Sequence, residues 1–212
     1  MIDNIEVFKQ NHIKIDCGGL CVHIDPFKAD SAPKNADIIL ITHDHYDHFS
    51  PNDIERVAGR DAVLVVPEAM RAKASAAGKY VGRIGTVKPG CAYAIGGLEF
   101  ETVPAYNIGK PFHPKSAGWV GYIIKAGGKR VYIAGDTDAT DEAGRVICDI
   151  ALVPVGGTYT MNAKQAAELV NAIKPEIAVP VHYGGIVGAE KDGADFQAAV
   201  DKSIKVVLKI KF

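Results

Sequence analysis

The chain has 212 residues, of which 48% are hydrophobic and 23% charged. That balance excludes a disordered or coiled-coil chain. Lys plus Arg number 24 against 25 Asp plus Glu, a formal net charge of -1, so no global field selects nucleic acid or an anionic membrane surface. The start carries Asp3, Glu6 and Lys9 instead of a signal peptide's apolar core, and no 18-residue apolar run follows. The four cysteines form no CxxC pattern. Cys91 and Cys148 read as buried thiols, Cys17 and Cys21 straddle a turn at Gly18-Gly19, and the expected compartment is the cytoplasm.

In chain order, short strands are predicted at His12 to Asp16 and Leu20 to Asp25, both bounded by Gly or Pro. Asp37 to Thr42 is a wholly apolar strand, which suggests burial on both faces. Ser50 then caps a helix with Pro51 in its first position and Asp53 where a capping-box acid belongs. A strand at Ala62 to Val66 runs into a helix over Pro67 to Ala77. Further strands are predicted at Ile84 to Val87, Ala92 to Ile95 and Leu98 to Val103. In the second half, Val120 to Lys125 and Arg130 to Ala134 form a hairpin across Gly127-Gly128. Ile150 to Val153 and Ile177 to Pro180 are buried strands. A helix at Asn162 to Ile173 is capped by Asn162 and ends before Pro175. A helix at Asp195 to Lys202 and an alternating strand at Ile204 to Ile210 close the chain. Two strand-rich halves with late helices predict two sheets face to face with helices outside. No GxGxxG fingerprint or Walker A sequence supports a nucleotide fold.

The informative stretch is His43-Asp44-His45-Tyr46-Asp47-His48, directly after the apolar strand. Strand ends are where open sheets place ligand sites. Neutral imidazoles and a carboxylate are the donors that Zn²⁺ and similar ions accept. In an extended segment His43 and His45 point one way, while Asp47 and His48 turn aside as the helix begins. Four donors thus divide into two pairs. Asp136 emerges from a turn after Gly135, and His182 follows a short strand.

The signature His43-x-His45-x-Asp47-His48 resembles that of the metallo-β-lactamase-fold hydrolases. Asp25-Pro26-Phe27, Gly135-Asp136-Thr137 and Val181-His182-Tyr183-Gly184 extend the resemblance over nearly the whole chain. Pro154-Val-Gly-Gly-Thr-Tyr-Thr-Met161 looks like a compact branch near the ascorbate-6-phosphate lactonase-like and uncharacterised hydrolases. The resemblance implies an α+β fold, a four-layer αββα sandwich of two similar halves in a single domain over residues 1–212. It implies one or two ions, Zn²⁺ first and Mn²⁺ or Fe²⁺ as alternatives, with Asp136 bridging two metals and His182 completing the set.

The match breaks at one point. The family's third histidine for the first metal is absent from the expected loop, which holds Tyr106 and Asn107. Two readings stand: His113 swings in from a longer, Pro-stiffened loop, or Asn107 or water takes the place. The metal set is then His43, His45, Asp47, His48, His113, Asp136 and His182, with Asp47 and Asp136 as the catalytic pair. Lys110, Lys115 and Lys191 are candidate contacts for an anionic group, and Tyr159 offers a hydroxyl near a strand end. The implied function is a metal-dependent hydrolase that turns a metal-bound hydroxide on a small ester, lactone or phosphodiester, an anionic one on the lysine reading. The alternative is a metal-binding or regulatory protein of the same fold with little turnover. Diiron redox chemistry is disfavoured without a flavin domain, and long nucleic acid without a basic surface. A small-molecule partner is expected, with oligomeric state left open.

Overall fold

The computed structural model describes residues 1–212, and its architecture follows from two alternating strand runs. The first sheet holds β1 (Ile5–Val7), β2 (Ile13–Asp16), β3 (Cys21–Ile24), β4 (Ala36–Leu40), β5 (Ala58–Pro67) and β6 (Arg83–Val87), paired in that order. The second holds β7 (Ala92–Ile95), β8 (Leu98–Pro104), β9 (Val120–Ala126), β10 (Lys129–Ile133), β11 (Ile150–Pro154), β12 (Ile177–Val181) and β13 (Lys205–Val206) in sequential pairing. Each sheet is antiparallel through its hairpins and parallel in the rest, β3 to β6 in the first and β10 to β13 in the second.

Three apolar layers match this arrangement. A cluster including Ile13, Ile15, Ile24, Leu40, Tyr122, Ile133 and Leu152 fills the space between the sheets. On the outer face of the first sheet, Ile39, Ile41 and Leu64 pack against α1 (Pro51–Val57) and α2 (Arg71–Ala74). On the outer face of the second, Ala151 and Val153 meet α3 (Ala163–Ile173) and α4 (Asp192–Ala199). Successive strand residues point to opposite faces, so Ile38 and Leu40 enter the central layer while Ile39 and Ile41 face the helices. That is why β4 reads as apolar without alternation, and the four layers are the αββα sandwich expected. No helix is long and apolar enough to cross a membrane.

Local departures have local causes. β1 was not anticipated; it pairs antiparallel with β2 as an edge strand of three residues. The expected helix over Pro67 to Ala77 is instead a run of short turns around four α-helical residues. Small side chains supply little apolar surface there, and the Ser75 hydroxyl donates back to the Ala72 carbonyl at 2.7 Å. Asp53 does not complete a capping box; its carboxylate accepts from the Ser50 hydroxyl and the Ala29 amide, while Ser50 Oγ caps the Asp53 amide. α3 carries the full reciprocal box of Asn162 and Gln165 and ends on a left-handed Lys174 before Pro175. α4 begins three residues before the expected helix, and the chain turns extended at Val200, whose side chain enters the core. The final strand shrinks to two residues. The Val207 amide still donates to Ala178, but the next rung would require an N–H from Pro180. Cys91 is exposed and Cys148 half-buried, each in a loop beside a strand, correcting the reading of both as buried; all four thiols are free.

The two sheets are stitched where the site begins. The Val120 amide donates to the Thr42 carbonyl at 3.1 Å, and the Tyr122 hydroxyl donates to the Ile41 carbonyl at 2.7 Å. Tyr122→Phe leaves that carbonyl unpaired in the core and should cost about 1–2 kcal/mol. Denaturant unfolding of the variant should show the lowered midpoint while metal uptake keeps its stoichiometry.

Candidate metal centre

The site lies at the carboxyl ends of β4, β10 and β12 and draws one more histidine from the long β8–β9 loop. Thr42 leaves β4, and the chain turns through His43 to His48 before Ser50 starts α1. Asp136 follows β10 after Gly135, a left-handed residue whose absent side chain lets the turn approach Thr42; a Cβ would lie 3.0 Å from that of Thr42. His182 follows β12 and is itself left-handed at φ 59°. Its carbonyl crowds Gly156 so closely that no Cβ fits there.

Seven side chains converge in two groups. In the first, His43 Nε2 lies 3.2 Å from His45 Nδ1 and 3.4 Å from His113 Nε2. In the second, His48 Nε2 lies 3.2 Å from His182 Nε2, and Asp47 Oδ2 lies 3.7 and 3.5 Å from those two nitrogens. Asp136 stands between them with one oxygen turned to each. Its Oδ2 is 3.3 Å from His113 Nε2 and 3.9 Å from His43 Nε2, and its Oδ1 is 3.3 and 3.4 Å from the Nε2 atoms of His48 and His182. All are buried except His45, which is half-exposed at the mouth.

The surrounding hydrogen bonds fix which nitrogen faces inward. The Thr42 hydroxyl donates to Asp25 Oδ2 at 2.6 Å, so its oxygen accepts from His43 Nδ1 at 2.9 Å. Asp25 also accepts from His48 Nδ1 at 2.8 Å. Asn107 donates its amide N–H to the Tyr159 carbonyl, which turns its Oδ1 to accept from His113 Nδ1 at 3.0 Å. Three rings are thus held through Nδ1 with the Nε2 lone pair aimed at the centre, the arrangement that outer hydrogen-bond partners impose on ligating histidines. Lone pairs facing one another at 3.2–3.4 Å in a dry interior repel unless a cation lies among them. Asp136 Oδ1 is moreover buried without a well-aligned hydrogen-bond donor. The donor set fits a divalent ion of the zinc type.

Titration behaviour reflects the same crowding. Burial alone would lower His48, but Asp136 and Asp25 overcome it and hold the ring well above the usual histidine range. Burial lowers His43, and positive charge on His48 adds to this. Burial would raise Asp136, yet His182 and His48 keep it well below the usual carboxylate range. Burial would also raise Asp47, yet the hydrogen bond from His182 and the charge of His48 hold it at about 2. In the absence of a cation, a proton on His48 neutralises part of the acidic cluster.

Each residue singled out from the sequence has a definite place. His113 stands in the first group, and Asn107 stands behind it, not in its place. Tyr159 presents its carbonyl to Asn107 and its ring edge-on to Phe112, with centroids 4.7 Å apart. Lys110 pairs with Asp138 and the Thr160 carbonyl, Lys115 with Glu142, and Lys191 with Asp195. Cys17 and Cys21 stand apart from the site on β2 and β3's hairpin, and His12 pairs with His23 at 3.1 Å, away from the cluster.

Sequence reasoning missed the β1–β2 turn. Gln10, left-handed and buried, donates to Asp47 Oδ2 at 3.3 Å, and its carbonyl accepts from the His182 amide at 3.0 Å. Asn11 donates to Asp25 Oδ2 at 2.7 Å. Trp119 sets its ring tilted against His43 and edge-on to His45 and His113, with centroids 5.0–5.4 Å apart. Nothing in a lone Gln-Asn pair signals this; it emerges only once the first and last thirds of the chain are folded together.

The beta-lactamase superfamily domain matches residues 4–182. A UPF0173 metal-dependent hydrolase of Methanopyrus kandleri is 31% identical over 205 residues, covering 89% of this chain and 87% of that protein. Another from Pyrococcus abyssi is 33% identical over 211 residues, covering 91% and 90%. Among solved structures, a Parabacteroides distasonis protein described provisionally as a metal-dependent hydrolase superposes with a TM-score of 0.82 at 33% identity, covering 98% of this chain and 93% of that one.

Stepwise metal titration separates the two groups. Asp136→Ala should weaken both uptake steps, whereas His113→Ala should weaken one, and Asn107→Ala should weaken that same step by about 10–100-fold. Because a cation at the second group displaces the His48 proton, uptake there should release a proton and weaken by about tenfold for each unit the pH falls below the His48 pKa. Calorimetry in two buffers of different ionisation heat measures that release.

Proposed function

Because this chain belongs to the beta-lactamase superfamily and is related over most of its length to the UPF0173 metal-dependent hydrolases, we propose that it hydrolyses a small ester, lactone or phosphodiester at a centre holding up to two divalent ions, zinc first among them. The observation that carries this reading is the two-faced Asp136 carboxylate, with Oδ2 toward His43 and His113 and Oδ1 toward His48 and His182. In this reading His43, His45 and His113 hold one ion, Asp47, His48 and His182 hold the other, and Asp136 serves both. Ions bound there supply Lewis acidity and lower the pKa of water toward neutrality.

The chain's own groups do the rest. Water's oxygen bonds to the carbonyl or phosphoryl centre, the bond to the leaving oxygen breaks, and the water proton passes to that oxygen. The Asp47 carboxylate orients the attacking water as a hydrogen-bond acceptor. Gln10 and the His182 loop hold Asp47 in that orientation. Asp25, saturated by Thr42, His48 and Asn11, is a positioning residue and not a further ligand, although its oxygens also lie close to His43 and His48. Trp119 covers one side of the first group and excludes water from it.

Protein stripped with chelator and reloaded with Zn²⁺, Mn²⁺ or Fe²⁺ should bind more than one equivalent. It should hydrolyse generic esters, lactones or phosphodiesters, and His45→Ala should cut that rate by about 100-fold or more. Full metal uptake with no turnover on any of the three classes would instead establish a metal-binding protein without hydrolytic activity.

A further inference from the structure

We propose that the substrate's non-reacting part is an apolar, uncharged acyl group seated on a rim formed by Tyr46, Ile108, Phe112, Tyr159 and Ile186. This rests on the hydrolase reading above and narrows it to a neutral acyl ester or lactone. The whole chain exposes ten large hydrophobic side chains, and these five are half of them. All five lie on the loops that carry or brace the metal-site donors, so their exposure is concentrated at one end of the sandwich. Tyr46 sits between His45 and Asp47 in the chain and is 66% exposed. Phe112 precedes His113, and Ile108 follows Asn107 and is 60% exposed. An apolar wall with a few convergent polar groups at its floor is the usual composition of a small-molecule site.

The loops are fastened, so the rim is preformed. The Ile108 amide donates to Asp138 Oδ2 at 2.8 Å. The Tyr159 carbonyl accepts from Asn107 at 2.9 Å, and the Phe112 and Tyr159 rings meet edge to face. The Ile186 amide donates to Gln10 Oε1 at 3.3 Å, the same side chain that holds Asp47. Ile108, Tyr159 and Ile186 are therefore presented to solvent by backbone that these bonds pin.

Charge points the same way. Lys28, on the Asp25 loop, lies over the Phe27 ring, but four other cations on the neighbouring loops have carboxylate partners: Lys110 with Asp138, Lys115 with Glu142, Lys73 with Asp44 and Lys191 with Asp195. An anionic substrate would have to compete with a resident carboxylate for each. Lys110 is the clearest case, since it also donates to the Thr160 carbonyl and is largely buried. The Lys110–Asp138 pair also helps to hold the rim, since Asp138 accepts from the Ile108 amide.

The chain's single tryptophan, Trp119, lies against three of the site imidazoles and reports binding by its fluorescence. Metal-loaded protein is titrated with primary amides from acetamide to octanamide, which are uncharged and hydrolyse slowly. Affinity should rise by about twofold to fourfold per methylene, the upper value being a fully buried CH₂. Adipamic acid, which carries a carboxylate at the far end, should bind more weakly than hexanamide. The double variant Phe112→Ser/Tyr159→Ser should flatten the series while circular dichroism and metal content stay unchanged. A flat series in the wild type, or tighter binding of adipamic acid than hexanamide, overturns the proposal. So does a wild-type dimer that the double variant splits, because a second copy would then cover the rim. A flat series beside sustained hydrolysis of acetate esters removes the rim and leaves the hydrolase. A steep series with no ester or lactone turnover supports the rim and removes the hydrolase.

Discussion

The rest of the molecule depends on one electrostatic constraint: four imidazole nitrogens and the carboxylates of Asp47 and Asp136 are held together away from water. Gathering such groups in a dry interior costs several kcal/mol unless each is paired. The outer hydrogen bonds make the cost larger, not smaller, because they commit His43, His48 and His113 to the tautomer whose lone pair faces inward. A proton on His48 relieves part of the cost when no cation is bound. The sandwich must be stable enough to hold the cluster in either state, and its three apolar layers supply that stability.

Rigid strand ends turn this constraint into geometry. Asp25 follows β3, Thr42 follows β4, and the two are locked by the Thr42 amide and hydroxyl, at 2.8 and 2.6 Å. Tyr122 and Val120 from the opposite sheet clamp the same segment through its carbonyls. The histidine loop therefore leaves a point fixed by both sheets. Local freedom is spent where the chain must turn sharply, at Gly135 and at the left-handed His182. Positive φ at a histidine carries strain, and it aims that ring at His48.

What could be read in the sequence was what lies close together in it. His43, His45, Asp47 and His48 announce themselves because one loop carries them all. β4 was legible from its unbroken apolar run, and α3 from Asn162, Gln165 and Pro175 at its ends. Asp136 and His182 gained meaning only beside that loop. His113 and Asn107 were both visible, but their order, one inward and one behind, depends on an amide turned by the Tyr159 carbonyl. Gln10 and Asn11 left no trace because their partners lie far along the chain. The failures in secondary structure were of the same kind. The 67–77 segment lacks apolar surface to hold a helix, and the last strand is cut short by a proline on its neighbour.

The bond between Ile186 and Gln10 joins residues 176 positions apart. Closing so long a span costs on the order of 4–5 kcal/mol in chain entropy. During synthesis the first four donors leave the ribosome early, yet the second group has no His182 until nearly the whole chain has emerged. The nascent protein therefore carries a partial, histidine-rich claw for most of its translation. The second group is completed only when β12 has joined its sheet, long after the histidine loop has been made.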